Sequence, residues 1–434
     1  MIDSKDYQYA SHGRRLNPAE LEIDLFCKGI RIHESCNLEK DARTFARARA
    51  GLGSGLELLL PGKKREIWLN APVKEGFAAY SPYELRFEDG RYVVAHTQDQ
   101  EKYPVSLPPA PEWYARKTSS GVIMREIGVL QGTYLGIYLG KACAFWNSDP
   151  RENCQFCITG LNVGSPGGDK SEKTVDEVVE VAQVAKEESG VTFTHFNTGY
   201  QSGKGLEICA PFVKAIKEQV GNLVGVQAIP QKELWKYDWL AECGADHFSF
   251  CYELHNKEYF QRYLPGKTKH IGQETFFRAM EYTSKLLGKG RISGEIIAGI
   301  EPIEDTLKAI DYICSVGAFP TVCIFRPVKG AIMEEWPSPS YEDMIRVFRQ
   351  VYESCMQYGI PIGLTPNIEV SLVVQPTDAE YLVEPSMSYY LYKTKLAMMK
   401  PFAHYLFRKK SMPCKIDVDA EQSPPPPAGY QLKS

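Results

Sequence analysis

The sequence predicts an α/β protein: a partial (βα)6 TIM-like barrel, with an N-terminal α+β elaboration and a C-terminal extension. Three observations carry this reading. Between residues 131 and 365, six strand-like runs alternate with six stretches of helical apolar spacing. Strands separated by helices pair in parallel. Residues 1–130 carry hairpin signals instead, and 366–434 end in the proline run SPPPP at 423–427. The expected division is therefore an accessory region over 1–130, the barrel over 131–365 and an extension over 366–434. A doubly wound open sheet shares the local pattern of the middle part.

In the first region, 17–30 has helical character. LELLL (56–60) and REIWL (65–69) flank Pro61-Gly62-Lys63-Lys64, a hairpin signal. YELRF and RYVVAH flank Glu88-Asp89-Gly90, a second one. From residue 131 the strand-like runs are TYLGIYLG, VTFTHFN, LVGVQAI, HFSFCYE, ISGEIIAGI and TVCIFRP. Helical spacing falls at 174–188, 206–219, 231–242, 272–288, 303–315 and 340–358. The proline run at 423–427 is expected to be disordered or polyproline-like.

Composition narrows function. With 50 basic and 54 acidic residues the net charge is -4, and no basic block suggests a nucleic-acid footprint. A small-molecule substrate fits better. No apolar run reaches the roughly 18–20 residues of a membrane span, and the N-terminus lacks a secretory pattern. A cytoplasmic setting follows as the expectation, with the 12 cysteines as thiols.

Three of those thiols stand together. Cys154-Gln155-Phe156-Cys157 is a Cys-x-x-Cys, and Cys143 lies eleven residues upstream. They follow the first barrel strand, hence sit on the face where barrel enzymes build active sites. Three thiolates without a fourth suit a [4Fe–4S] cluster that keeps one iron open, whereas a structural zinc wants four ligands. The competing reading is a packed thiol trio, the expected fate of the remaining nine cysteines.

These residues resemble the radical S-adenosylmethionine superfamily, whose usual motif is Cys-x-x-x-Cys-x-x-Cys with an aromatic residue before the last cysteine. Phe156 holds that aromatic place, but ten residues, 144–153, replace the first three. The extended spacing, with REIGVLQGTYLGIYLGKACAFW before it, is similar to the radical S-adenosylmethionine proteins associated with nitrilase gene clusters. FNTGY, the LPGK of 264–267, FRPVKG with PSPS, and SPYELR at 81–86 are similar too, so the likeness covers roughly 40–370. The further C-terminal cysteines of that family are reduced here to Cys414.

The resemblance implies an oxygen-sensitive enzyme holding a [4Fe–4S] cluster on Cys143, Cys154 and Cys157. It also implies S-adenosylmethionine as cofactor and a flavodoxin or ferredoxin-type electron donor. Asn197, Thr198 and Gly199 take the place of the glycine-rich stretch that holds the methionine ammonium, without its usual Glu. Glu253 ends the fourth strand at a position implied to contact ribose or methionine. Arg262 offers a fork for the methionine carboxylate, and Ile297, Ala298 and Gly299 a surface for adenine. Each has a plainer reading: a turn, a strand end or a solvated helix face. His195, Tyr200, Tyr252, His255, Arg326 and Glu369 lie near strand ends as substrate-side candidates, with no catalytic residue singled out. Alternatives are a zinc-dependent barrel hydrolase and a non-catalytic iron–sulfur binding module. At least one segment, 1–130 or that after 365 with Tyr389-Tyr390-Leu391-Tyr392, is expected to cover the barrel's open side and contribute substrate contacts.

Overall fold

The computed structural model describes residues 9, 11–38 and 55–428. Helix α1 (Pro18–Lys28) starts as its sequence dictates. Asn17 accepts from the backbone N–H of Ala19 and Glu20, Glu20 reaches back to the Asn17 N–H at 2.8 Å, and Pro18 occupies the first turn. Strand β1 (Arg31–Ile32) runs parallel to β4 (Tyr83–Glu88), which continues antiparallel to β5 (Arg91–His96) and β6 (Lys102–Val105). Strands β2 (Gly55–Pro61) and β3 (Glu66–Pro72) form the first anticipated hairpin, pairing Leu58 with Leu69. The β4–β5 pair is the second.

The main sheet has seven strands in strictly sequential order: β7 (Val129–Leu130), β8 (Leu135–Tyr138), β9 (Phe193–Asn197), β10 (Leu223–Gln227), β11 (His247–Glu253), β12 (Ile292–Ala298) and β13 (Phe319–Ile324). Six of them are parallel, and β7 adds antiparallel to β8 as an edge strand. Sequential order has no switch point, so the arrangement is the open half-barrel and not the doubly wound sheet. The returning helices are α3 (Val175–Ser189), α4 (Gly205–Ala215) with a π turn at Ile216–Val220, α5 (Trp235–Glu242), α8 (Gln273–Leu287), α9 (Ile303–Ser315) and α10 (Tyr341–Gln357). Short α2 (Thr159–Asn162) follows the cysteines, and α6 (Lys257–Tyr263) and α7 (Pro265–His270) are inserted before α8. Helix α11 (Met387–Lys410) comes last. The proline run beyond it holds neither helix nor strand.

Side chains alternate along the parallel strands. Phe196, Val224, Val226, Phe248, Phe250, Ile292, Ile296 and Val322 are buried. The other set, from Tyr138 and Asn197 across to Glu295 and Cys323, lines a cavity of about 1920 Å³. Its open side is bounded by residues of 361–385 and of α11, including Ile362, Glu369, Leu396 and Phe407, and by Lys63 to Arg65 of the first hairpin. Both segments considered for that role thus line the cavity. Among the described residues, no helix is long and apolar enough to cross a membrane.

One buried charge at the junction of α1 with the C-terminal segment yields a prediction. Glu22 is fully buried and neither carboxylate oxygen has a partner among the described residues. Burial, with Asp378 nearby, raises its pKa well above the usual range, and burial pushes Asp378 up to about 7. A raised carboxyl pKa means that the native state binds protons the unfolded chain releases, so stability falls as pH rises from about 4 towards neutrality. Glu22→Gln removes one such charge. It is expected to raise the midpoint of thermal unfolding at pH 8 by about 2–4 °C and to leave it unchanged near pH 4. Equal midpoints for variant and wild type at pH 8 would show that Glu22 is already solvated.

Candidate active site

The cysteine loop begins five residues after β8. The ten-residue stretch between Cys143 and Cys154 is an excursion closed at its neck, where the Glu152 N–H donates to the Phe145 carbonyl at 3.0 Å. The chain therefore returns beside its point of departure, and long spacing in sequence becomes proximity in space. Two glycines let the loop seat. A Cβ on Gly199 would lie 2.6 Å from Cys143 Cβ and 2.7 Å from the Tyr138 hydroxyl, and one on Gly266 would lie 2.5 Å from the Phe145 ring. Phe145 stacks on Tyr200 with centroids 4.4 Å apart. The Tyr200 N–H donates to Cys143 Sγ at 3.3 Å, and the Gly266 N–H to the Glu152 carbonyl at 2.9 Å. Cys157 Sγ lies 3.0 Å from the Thr159 hydroxyl.

All 12 cysteines are free thiols. Burial pushes the Cys154 and Cys157 thiols above their ordinary range; Cys157 and Cys143 add to the rise at Cys154, and Cys143 adds to that at Cys157. Lys267 opposes the rise at Cys154. Among the described residues, no three His, Cys, Asp or Glu side chains converge as ligands of one metal ion. A cluster poses a different demand, since each thiolate binds its own iron. Three partly exposed thiols on one pinned loop, opening into one cavity, meet that demand.

Cys143, Cys154, Phe156, Cys157, Asn197, Thr198, Gly199, Glu253 and Ile297 all line this cavity. Arg262 does not. It is exposed on α6 with its guanidinium over the Tyr263 ring. Ala298 is fully buried, and a Cβ on Gly299 would run into Pro339. Of the substrate-side candidates, His195, Tyr200 and Glu369 line the cavity. Tyr252 is buried outside the lining, His255 packs against Phe277, and Arg326 donates to the Asn70 carbonyl at 3.0 Å.

Sequence reasoning missed the charged partners beneath the loop. Lys267 Nζ donates to Glu253 at 2.7 Å and to the Cys251 carbonyl at 2.6 Å. Glu253 itself sits at a β-bulge with φ 69, a left-handed backbone that side chains rarely adopt. Glu295 accepts from Cys251 Sγ at 2.8 Å and from Gln227, which accepts in turn from Asn197. Burial raises the Glu295 pKa. Its signal was visible, a carboxylate in the middle of an apolar strand. Cys251 and Cys323, expected to be packing thiols, also face the cavity.

No family model matches the chain. It is 24% identical over 268 residues to a bacteriochlorophyllide c C-7(1)-hydroxylase of Chlorobaculum limnaeum, covering 57% of this chain and 66%, just under two thirds, of that relative. Its structure is similar to the FeFe-hydrogenase maturase HydG of Carboxydothermus hydrogenoformans, with a TM-score of 0.39 and 15% identity over 51% of each chain. It is also similar to a radical SAM methyltransferase of Sphaerobacter thermophilus, with a TM-score of 0.39 and 14% identity over 67% of this chain and 81% of the other. By its cysteine loop, set after the first strand of an open parallel half-barrel, the chain resembles the radical S-adenosylmethionine superfamily.

Proposed function

We propose that Cys143, Cys154 and Cys157 hold a [4Fe–4S] cluster and that the cavity takes S-adenosylmethionine together with a small organic substrate, from which a hydrogen atom is abstracted. One observation carries this reading: three thiols of a single pinned loop open into a cavity of about 1920 Å³. That exceeds the roughly 300–1,000 Å³ usual for one ligand, and so suits a cofactor and a substrate together. The cluster, when bound and reduced by one electron from a flavodoxin or ferredoxin-type donor, supplies cleavage of S-adenosylmethionine to a 5′-deoxyadenosyl radical.

The chain's own residues bind, orient and exclude water. Gly199 lies against Cys143, and with Asn197 and Thr198 it lines the cavity wall that would flank a cluster held by the cysteines. Glu253, held by Lys267, offers a carboxylate to ribose or ammonium groups. Phe156 and Ile297 provide an apolar wall. The segment from 361 to α11 keeps bulk water from the open side, where a carbon radical would otherwise be lost to side reactions. The relative is named a hydroxylase, an activity at a carbon-bound hydrogen, and abstraction of such a hydrogen is the reaction class we assign.

Anaerobic reconstitution tests this. Protein with about four irons per chain, forming 5′-deoxyadenosine from S-adenosylmethionine and a low-potential reductant, is the expected result. Colourless zinc-loaded protein, or methylthioadenosine or S-adenosylhomocysteine as sole product, would overturn it.

A further inference from the structure

The end of the cavity remote from the cysteines is lined by rings. His195 of β9 stacks on Phe193 with centroids 5.7 Å apart at 26°, and His247 of β11 stacks on Phe319 at 5.6 Å and 23°. Tyr134 stands edge-on to His195 at 6.0 Å. All five rings line the cavity. Glycine backbone makes room for them. Gly136, His195 and Gly225 are register partners across β8, β9 and β10. A Cβ on Gly225 would lie 2.6 Å from both His195 Cδ2 and Phe193 Cζ, so both rings lie across bare backbone.

The hydrogen bonds of this floor fix the proton on one histidine nitrogen and point to its place on the other. His247 Nδ1 lies 2.9 Å from the Arg291 carbonyl oxygen, which only accepts, so Nδ1 carries a proton. Burial brings the His247 pKa down to about 4, so the ring is neutral and its Nε2 is an acceptor. Two hydroxyls approach that nitrogen, Ser249 at 2.9 Å and Ser293 at 3.3 Å. We assign the shorter contact, Ser249, as its donor; Ser293 has acceptors of its own in Ser249 at 3.0 Å and Glu295 at 3.4 Å. Ser249 Oγ has then spent its one proton and can only accept, from Ser293 at 3.0 Å and from His195 Nε2 at 3.2 Å. His195 Nε2 therefore carries the proton of that ring. Burial brings the His195 pKa down to about 3, which keeps the ring neutral and leaves Nδ1 with an unshared pair. Nδ1 has no hydrogen-bond partner among the described residues, nor is it among their buried unpartnered atoms. It opens to the cavity.

We propose that His195 Nδ1 is the acceptor that recognises a planar, largely apolar substrate through an N–H or O–H donor, at the cavity end remote from the cysteines. The stacked rings supply flat apolar walls, and the fixed tautomer rejects a group that can only accept. Four residues of chain, roughly 13 Å at ~3.3 Å each, separate His195 from Gly199 beside Cys143. A ring system anchored at His195 thus presents its far end towards the cysteine loop. The inference rests on the proposed radical reading only in calling this ligand the substrate.

Titration calorimetry on reconstituted full-length protein at pH 7.5, with indole and its isostere 1-benzofuran, tests it without turnover. The two probes differ in one ring atom, an N–H donor against an oxygen acceptor. Indole is expected to bind about tenfold tighter. His195→Phe is expected to abolish that ratio while benzofuran binding persists. Equal or undetectable binding of both probes by wild type, or a ratio that survives in His195→Phe, overturns the proposal. If His195→Phe does not fold, long-range 15N spectra of the wild-type histidines serve instead. An unprotonated His195 Nδ1 whose resonance moves with indole and not with benzofuran supports the proposal, and a protonated Nδ1 overturns it. Failure of the radical reading would show separately, as absence of 5′-deoxyadenosine.

Discussion

Alanine at Cys143, Cys154 or Cys157 is expected to leave reconstituted protein without its iron and 5′-deoxyadenosine formation at background, whereas Cys209→Ala and Cys355→Ala retain both. The asymmetry follows from placement. Cys143 is held by the Tyr200 N–H and wedged against the bare backbone of Gly199. Cys154 and Cys157 lie on the far side of the neck formed by Phe145 and Glu152. A cluster with three protein ligands has no spare, and no neighbouring residue can slide in, because the loop is pinned by Gly266 and by the Gln155 N–H donating to Tyr263. Cys209 and Cys355 are fully buried on α4 and α10, where a missing sulfur leaves only a small void. Iron content and visible absorption on matched preparations check the prediction. A full iron complement in Cys143→Ala would assign that thiol to packing and would remove the extended spacing as a ligand motif.

Much of this was legible in the sequence because it depends on period. Apolar residues at helical spacing and short β-branched runs mark their elements one at a time, and alternation of the two specifies parallel pairing. Sequential strand order is a different kind of fact. It distinguishes a half-barrel from a doubly wound sheet and depends on how each helix packs back, which no local window contains. The cysteines could be picked out as a candidate ligand set by their place after a strand. The neck that draws Cys143 and Cys154 together was hidden, since it rests on one backbone hydrogen bond between residues of no distinctive type. His195 stood among six candidates without a means of choice. What sets it apart is the tautomer we assign through Ser249 and His247, more than 50 residues away in β11 and visible only once β9 and β11 face one cavity. Arg262 shows the opposite failure: the right chemistry for a carboxylate, carried on the outer side of a short helix.

Lys267→Met should give the largest loss of stability of any single substitution near the site, about 3–5 kcal/mol. The ammonium is buried, as is most of Glu253, and they are 2.7 Å apart. Burial alone would pull the lysine pKa down, but Glu253 and the neighbouring Cys154 and Cys251 carry it above its ordinary range, so the ammonium stays charged. Methionine fills much the same volume without charge, which leaves the Glu253 carboxylate in the cavity wall with no cation and the Cys251 carbonyl without its donor. The cost is that of an orphaned charge, not of the pair, and the two are separable. Glu253→Gln alone strands the ammonium and should also destabilise, while Glu253→Gln with Lys267→Met removes both charges and should recover most of the loss, as a double-mutant cycle in urea would read. Additive losses in the cycle would mean that water already screens the pair. Reconstitution of the double variant then isolates the functional share. Iron should bind as in wild type, and affinity for S-adenosylmethionine should fall by about 1.5–3 kcal/mol, the worth of a hydrogen bond to a charged group. Unchanged cofactor affinity would make Glu253 and Lys267 a structural clamp beneath the loop and move the ribose or ammonium contact elsewhere on the cavity wall.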